Sequence, residues 1–228
     1  MKIITVSDIH LDINSKYVGV DLLPAFIRCL KKQDADIYII AGDLCDNASD
    51  TIHSLNSIEA AFMVDKNVGY IKLDRFAQSS NDEFEEALAK LKAQKMKSLI
   101  LDLRGNTGGY LNIAAELSNQ FLKKDMTIVY TEGDKSPKQI FNTDKNGKFT
   151  DGKLIVLIDE GSASASEIVS GAVQDWDRGV LIGRRSFGKG LVQRPFNLPD
   201  GSQVRLTTAR YYTPTGRCIQ RSYEKGSE

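Results

Sequence analysis

Histidine and cysteine are both scarce in this sequence, and their scarcity excludes several kinds of site. The 228 residues include two histidines, His10 and His53, and three cysteines, Cys29, Cys45 and Cys218. The cysteines are widely spaced, odd in number and never in a CxxC arrangement, so the sequence predicts neither a disulfide framework nor a zinc knuckle. We therefore expect three buried free thiols.

Net charge and long apolar runs are absent as well. Thirty Lys and Arg residues balance thirty Asp and Glu residues, so no overall field attracts the chain to nucleic acid or to an anionic membrane. No apolar run is long enough to span a bilayer, and the N-terminus lacks the apolar segment and cleavage site of a signal peptide. From the sequence as written we expect a soluble, cytoplasmic chain without an export signal.

A hydrophobic content of 41% is enough for one large or two small globular domains. Short apolar runs at 3–6 and 35–41 predict two buried strands, and residues 22–32 between them have helical spacing, which together predict a β-α-β unit. Apolar density falls over residues 47–57 while Asn, Ser and Asp accumulate, which predicts a domain boundary there.

We divide the chain into a first segment, residues 1–53, and a larger domain, residues 54–228. Strand and helix patterns alternate along the larger domain and give way to strands near its end, which predicts an α/β fold with a β-rich C-terminal end. Ser80 and Glu83 have the spacing of a capping box at a helix start. A polar stretch over 133–152 predicts an exposed hairpin or loop.

Two loops in the larger domain have the composition of a site. A predicted buried strand leads into RGNTGG, the glycine loop (104–109), and another leads into GSASASE, the serine turn (161–167), each followed by a helical pattern. Glycine permits positive φ, and a strand, a glycine loop and a helix in succession build sites. The structural alternative is an ordinary strand-to-helix turn with a serine cap. Asp102 and Arg104 either brace the glycine loop or form a plain surface ion pair.

Serine catalysis in this domain requires a base other than histidine, because both histidines precede the boundary. It also requires a hydroxyl and donors for the developing oxyanion. Lysine can substitute if burial or a cationic neighbour lowers its pKa from about 10.4. Lys189 lies between two glycines in the lysine loop (184–190), where such enclosure is expected. A surface lysine in a glycine turn is the alternative.

The lysine loop also fits the first part of a phosphate-binding loop, since residues 183–189 match GxxxxGK. Gly190 stands where the magnesium-binding Ser or Thr is required. Pro195 and alternating residues replace the helix that should follow. The sequence therefore argues against nucleotide binding.

Four ordered blocks carry a more specific signal: LDLRGNTGG, LIDEGSASASEI, RRSFGKGLVQ and RYYTPTGRCIQ. Through them, residues 55 to 221 resemble the carboxyl-terminal processing peptidases, also called tail-specific proteases. The resemblance implies Ser164 as nucleophile, Lys189 as base and Gln193 as a residue that orients the lysine, with no cofactor required. Ser162 and Ser166 are the fallback nucleophiles.

The same resemblance implies an oxyanion hole, a fold, a substrate class and a cellular location. Its donors are the backbone N–H groups of Ala165 and of Gly108 or Gly109. The implied fold is an α/β core with a mixed sheet, and the implied partner is a polypeptide, cleaved through an acyl-enzyme in the C-terminal regions of unfolded or tagged proteins. The family works in the periplasm or cell envelope, which conflicts with the missing export signal.

Two departures from the family define an alternative. Its members usually carry a PDZ domain, and none is readable before residue 55. The chain also stops soon after residue 221, where the family commonly continues with further strands. The alternative to an enzyme is therefore a catalytically inactive peptide-binding remnant.

The first segment resembles the start of calcineurin-like metallophosphoesterases, which open with DxH and GDxxD motifs. Asp8 and His10 follow the first predicted strand and Asp43 follows the second, at the strand ends where α/β proteins bind ligands. Such side chains hold divalent metals. Only His53 follows His10, so the two-metal site cannot be completed. We expect a remnant or fused fragment, with weak binding of a single divalent metal at Asp8, His10 and Asp43 as the alternative. A metal-dependent phosphoesterase is the alternative function.

Overall fold

The computed structural model describes residues 3–7, 37–41 and 57–222. The chain divides into two compact units, Met1–Asn56 and Ser57–Glu228. In the first unit, β1 (Ile3–Ser7) and β2 (Ile37–Ala41) form a parallel pair. Both strands lie at the predicted apolar runs. The predicted helix over 22–32 lies outside the described residues.

The second unit contains both strands and helices. Its strands are β3 (Ile58–Asp65), β4 (Val68–Leu73), β5 (Ser98–Asp102), β6 (Thr127–Gly133), β7 (Ser136–Asn142), β8 (Lys153–Ile158), β9 (Val180–Gly183), β10 (Leu191–Asn197) and β11 (Gln203–Tyr212). Its helices are α1 (Ser80–Ala93), α2 (Leu111–Asn119) and α3 (Ala165–Asp175).

A five-stranded mixed sheet, in the order β3-β4-β5-β8-β9, is the centre of this unit. β3 is antiparallel to β4, whereas the other neighbours are parallel. Leu99 and Leu101 of β5 are buried because alternate side chains point to the same face, which the helices cover. Each such side chain contributes about 1.5–3 kcal/mol through burial. The predicted α/β fold with a mixed sheet is confirmed.

A second sheet, in the order β10-β11-β6-β7, is antiparallel and forms the β-rich end. The stretch 133–152, predicted as an exposed hairpin or loop, contains both: β6 and β7 form a hairpin that begins earlier, at Thr127, and ends at Asn142, and residues 143–152 follow it without a strand. The hairpin begins earlier because Ile128 and Val129 are buried apolar residues that anchor β6 to the core, and the polar composition marks only the far side of the hairpin.

The predicted capping box at α1 is wrong. Ser80 accepts a hydrogen bond through Oγ from the Ala77 N–H (2.8 Å) and donates one to the Arg75 carbonyl (3.1 Å). The Glu83 carboxylate instead accepts from the N–H groups of Ser57 (2.7 Å) and Ile58 (3.0 Å). Distant donors at the start of β3 thus replace the local partner that sequence spacing suggested.

The expectation of buried cysteines is also corrected for one residue. Cys218 is exposed rather than buried, and it lies in the segment after β11, where it is bridged to Tyr212. Cys29 and Cys45 lie outside the described residues. Within residues 57–222 and the two short strands, no helix is both long and apolar enough to cross a membrane.

Candidate active site

The glycine loop and the serine turn meet at the carboxyl ends of β5 and β8, which are neighbouring parallel strands. The Ser162 hydroxyl donates to the Leu103 carbonyl (2.8 Å), and the Gly105 N–H donates to Asp159 Oδ1 (2.9 Å). The Ala163 N–H donates to the Asn106 carbonyl (3.0 Å). These bonds join the two loops into one rim, as strand-end loops of a parallel sheet are placed to do.

Ser164 lies at the strained point of this rim. It is the N-cap of α3 and has φ +56° and ψ −110°, a conformation that residues other than glycine rarely adopt. Its N–H donates to Glu167 Oε2 (2.8 Å). The side chain is half-buried, and its hydroxyl donates no hydrogen bond to any described residue. The turn therefore presents a hydroxyl whose proton is uncommitted.

The two fallback serines differ from Ser164 both in burial and in the hydrogen bonds of their hydroxyls. Ser162 and Ser166 are fully buried. The Ser162 hydroxyl also accepts from the Asp159 N–H (3.0 Å), and the Ser166 hydroxyl donates to the Asn106 carbonyl (2.9 Å). Both hydroxyls thus hold the loops together, and their attack on a substrate would break those bonds.

The glycine loop lies directly against Ser164. A Cβ added to Gly108 would be 2.7 Å from the Ala163 carbonyl oxygen and 2.8 Å from Ser164 Cβ. The Gly108 N–H already donates to Asn106 Oδ1 (2.9 Å). Neither the Gly109 N–H nor the Ala165 N–H donates to any group among the described residues. Of the two glycines that the sequence left open, Gly109 is thus the one with a donor to offer.

Asn106 is a site residue that the sequence reasoning missed. It is fully buried, and its amide nitrogen donates to the Leu73 carbonyl (2.8 Å) while its oxygen accepts from Gly108. It therefore connects the end of β4, the glycine loop and the serine turn. Its only signal in the sequence is its place within RGNTGG.

Asp102 braces the base of the glycine loop. Its buried carboxylate accepts from the Arg104 N–H (2.9 Å), from the half-exposed Arg104 guanidinium and from the Tyr70 hydroxyl (2.7 Å). Burial by itself raises the pKa of Asp102, but the hydrogen bonds from Arg104 and Tyr70 outweigh it and hold the pKa below the ordinary value. The bracing interpretation is confirmed over a plain surface pair.

The lysine loop is joined to the serine turn by its backbone. The N–H groups of Lys189 (2.8 Å) and Gly188 (2.6 Å) and the Ser186 hydroxyl (2.7 Å) all donate to the carboxylate of Glu167. The Lys189 N–H binds the same oxygen, Oε2, that accepts from the Ser164 N–H at 2.8 Å. The backbone nitrogens of Ser164 and Lys189 are therefore separated by at most twice 2.8 Å.

The side chain of Lys189 is exposed, so the enclosure expected from the sequence is not found. Its ammonium group has no hydrogen bond or ion pair with a described residue. Arg184, a cationic residue of the same loop, is itself exposed and is paired with Glu160 (2.6 Å). The lysine loop is thus fixed through its backbone and Ser186, which bind Glu167, and the Lys189 side chain is left exposed.

The other side of the lysine loop is held by the last of the four sequence blocks. The Arg221 N–H donates to the Gly188 carbonyl (2.9 Å), and the Gly190 N–H donates to Gln220 Oε1 (3.0 Å). Gln193 lies on β10 next to a bulge, with an exposed side chain that has no hydrogen bond to Lys189. Its role in orienting the lysine stays a prediction.

Comparison with known proteins yields one family over most of the second unit. The profile of "Peptidase family S41" matches residues 67–225. The carboxy-terminal-processing protease of Bartonella bacilliformis is 43% identical over 164 residues, which cover 70% of this chain and 38% of that protein. The chloroplastic carboxyl-terminal-processing peptidase 3 of Arabidopsis thaliana is 41% identical over 150 residues, covering 64% of this chain and 28% of that protein.

A solved structure gives the same result. The photosystem II D1 C-terminal processing protease superposes with a TM-score of 0.65 at 32% identity, covering 72% of this chain and 44% of that one. The chain thus spans less than half of the length of these three proteins. The family match over residues 67–225 contains the glycine loop, the serine turn and the lysine loop.

The resemblance of residues 1–50 to metallophosphoesterases is not borne out by these comparisons. Asp8, His10 and Asp43 lie outside the described residues, so a metal site at these positions stays a prediction. Among the residues that the structure does describe, no group of three or more His, Cys, Asp and Glu side chains is placed to hold a metal ion.

Proposed function

The chain belongs to peptidase family S41, and from this membership we propose that its second unit is the catalytic core of a serine endopeptidase with Ser164 as nucleophile and Lys189 as base. One observation carries the assignment of the nucleophile. Of the three serines in the turn, Ser164 alone is half-exposed and keeps its hydroxyl proton uncommitted.

The proposed oxyanion hole consists of the N–H groups of Ala165 and Gly109. Ala165 directly follows Ser164, and Gly109 follows the glycine that lies against Ser164. Neither N–H has an acceptor among the described residues. Ala165 is also the first residue of α3, where the helix dipole favours negative charge. Since the Gly108 N–H is committed to Asn106, Gly108 contributes the absence of a side chain, which lets the loop approach Ser164.

In the proposed reaction, Ser164 Oγ attacks a peptide carbonyl carbon and Lys189 Nζ takes the hydroxyl proton. The tetrahedral oxyanion accepts from Ala165 and Gly109. Lys189 then gives its proton to the leaving amine, and water hydrolyses the acyl-enzyme. A bound polypeptide that covers the loop would exclude water from Lys189 and Ser164.

The proposed substrates are polypeptides, cleaved in the C-terminal regions of unfolded or tagged proteins. The relatives' names, which refer to carboxyl-terminal processing, support this proposal. So does the open position of the lysine loop, since an extended chain can lie across it without displacing a buried element. The proposed setting is the periplasm or cell envelope, as the family resemblance implies.

The test is cleavage of an unfolded protein by the wild-type chain, Ser164→Ala and Lys189→Ala, with labelling of Ser164 by a fluorophosphonate as a second measurement. We expect both variants to lose at least about 10³-fold in rate. Lys153→Ala, which removes an exposed lysine of β8, is the matched control. Equal rates for the wild type and Lys189→Ala would overturn the mechanism, and labelling that persists in Ser164→Ala would overturn the nucleophile.

A further inference from the structure

The Glu167 carboxylate is the junction between the serine turn and the lysine loop. It is only 5% exposed and lies in the first turn of α3. Oε2 accepts from the N–H groups of Ser164 and Lys189, and Oε1 accepts from the Gly188 N–H and the Ser186 hydroxyl. No other side chain in the described part of the chain binds both loops.

The chemistry of these four contacts requires a carboxylate. All four partners are donors, so both oxygens act only as acceptors, which is the state of an ionised acid. A carboxamide of the same size would turn an NH₂ group toward two of the donors. Because both oxygens are occupied, Glu167 cannot itself serve as the base that receives the serine proton.

We propose that Glu167 is a positioning residue that fixes the distance between Ser164 and the Lys189 backbone, and this inference rests on the proposed function. One carboxylate oxygen shared by both backbones sets how far the lysine side chain must reach. A shift of about 1 Å between a nucleophile and its base is enough to cost about 10²-fold in rate.

Two other backbone hydrogen bonds also hold the lysine loop, so the proposal can be tested without detaching the loop. The Phe187 N–H donates to the Ser162 carbonyl (3.0 Å), and the Arg221 N–H holds the Gly188 carbonyl from the other side. Neither bond involves Glu167. Loss of the carboxylate should therefore change the spacing of the loops while the lysine loop stays attached to the unit.

The experiment compares kcat and KM for an unfolded protein substrate, and the labelling rate of Ser164 by a fluorophosphonate, in Glu167→Gln and in the milder Ser186→Ala. Glu132→Gln, which alters an exposed glutamate of β6 outside both loops, is the control. We expect Glu167→Gln to lower kcat about 10²-fold with KM within about twofold of the wild type. Ser186→Ala should lower kcat several-fold, and the control should match the wild type.

A double variant separates positioning from general support of the fold. If Glu167 acts through Lys189, Glu167→Gln should not slow labelling further in the Lys189→Ala background. Losses that multiply, or a folded Glu167→Gln with wild-type kcat, would overturn the inference. If Glu167→Gln does not fold, the same comparison of single and double variants is made with Ser186→Ala and Lys189→Ala, and its result tests the positioning role. A wild type that neither cleaves nor labels refutes the proposed function itself, whereas an active wild type with unaffected variants refutes only the role of Glu167.

Discussion

The serine turn and the lysine loop bind the same carboxylate, but they are held in different ways. The serine turn is fixed by buried side chains: Ser162, Ser166 and Asn106 are fully buried and hydrogen bonded between loops. The lysine loop is fixed mainly by its backbone, and the Lys189 side chain is exposed. The nucleophile is thus placed by buried side-chain bonds, whereas the base is placed by part-buried bonds from its loop backbone to Glu167.

This difference predicts opposite consequences of mutation. Changes beneath the serine turn should lower the stability of the unit and its activity together. Changes in the exposed and half-exposed side chains of the lysine loop and its neighbours should lower activity with a smaller effect on stability, because they leave fewer buried groups without a partner.

The largest loss of stability is expected for Asn106→Ala. The variant leaves the buried Leu73 carbonyl and the Gly108 N–H without their partners, which should cost about 3 kcal/mol in the free energy of unfolding. Urea denaturation measures this effect. Asn112→Ala, at an exposed position of α2, should change stability by less than about 0.5 kcal/mol. Equal effects of the two substitutions would contradict the placement of Asn106.

A smaller loss is expected for Gly108→Ala, about 2 kcal/mol, with activity reduced at least about tenfold. The added Cβ meets the Ala163 carbonyl at 2.7 Å in a residue with φ +103°. Gly105→Ala is the matched control, since Gly105 also has positive φ (+73°) but nothing within 4 Å of an added Cβ. It should cost only about 1 kcal/mol. Indistinguishable melting temperatures for the two variants would refute the close contact with the serine turn.

Acid should remove the contribution of Asp102. Because its pKa in the folded state lies below the ordinary value of 3.8, the ionised carboxylate stabilises the fold above that value, and the stabilisation is lost as pH falls through the lowered pKa. Asp102→Asn should therefore be less stable than the wild type near neutral pH and should lose less stability on acidification. Denaturation curves recorded from about pH 6 to about pH 3 test this. Parallel pH profiles for the two proteins would exclude the effect.

The smallest change in stability is expected on the lysine loop, for Gln220→Ala. It removes the acceptor of the Gly190 N–H at a half-exposed position, so we expect about 0.5 kcal/mol in stability and a loss of about threefold in kcat. Gln203→Ala, which removes an exposed bond to Asn197, should leave kcat unchanged. A loss of stability as large as that of Asn106→Ala would show that the two loops are held alike.

Sequence patterns predicted the strands and helices well where burial alternates with a clear period. The Leu99 and Leu101 strand and the helices after both loops were of this kind. For Asp102 and Arg104 the sequence left bracing and a plain surface ion pair open, and the structure shows bracing. The capping box failed because Glu83 finds donors at residues 57 and 58, more than twenty positions away. A local rule has no access to such partners.

The sequence by itself determined the α/β fold, the family and the inventory of candidate groups, because periodicity and ordered motifs are properties of the chain. Only the tertiary structure decided which group is free to act. It committed the hydroxyls of Ser162 and Ser166 to bonds that join the serine turn to the glycine-loop segment, and the Gly108 N–H to a bond within the glycine loop. It also placed Glu167 where its carboxylate accepts hydrogen bonds from both the serine turn and the lysine loop. The physical reason is that a hydrogen bond depends on which groups the fold brings within about 3 Å, and residues far apart in sequence supply most of those partners here.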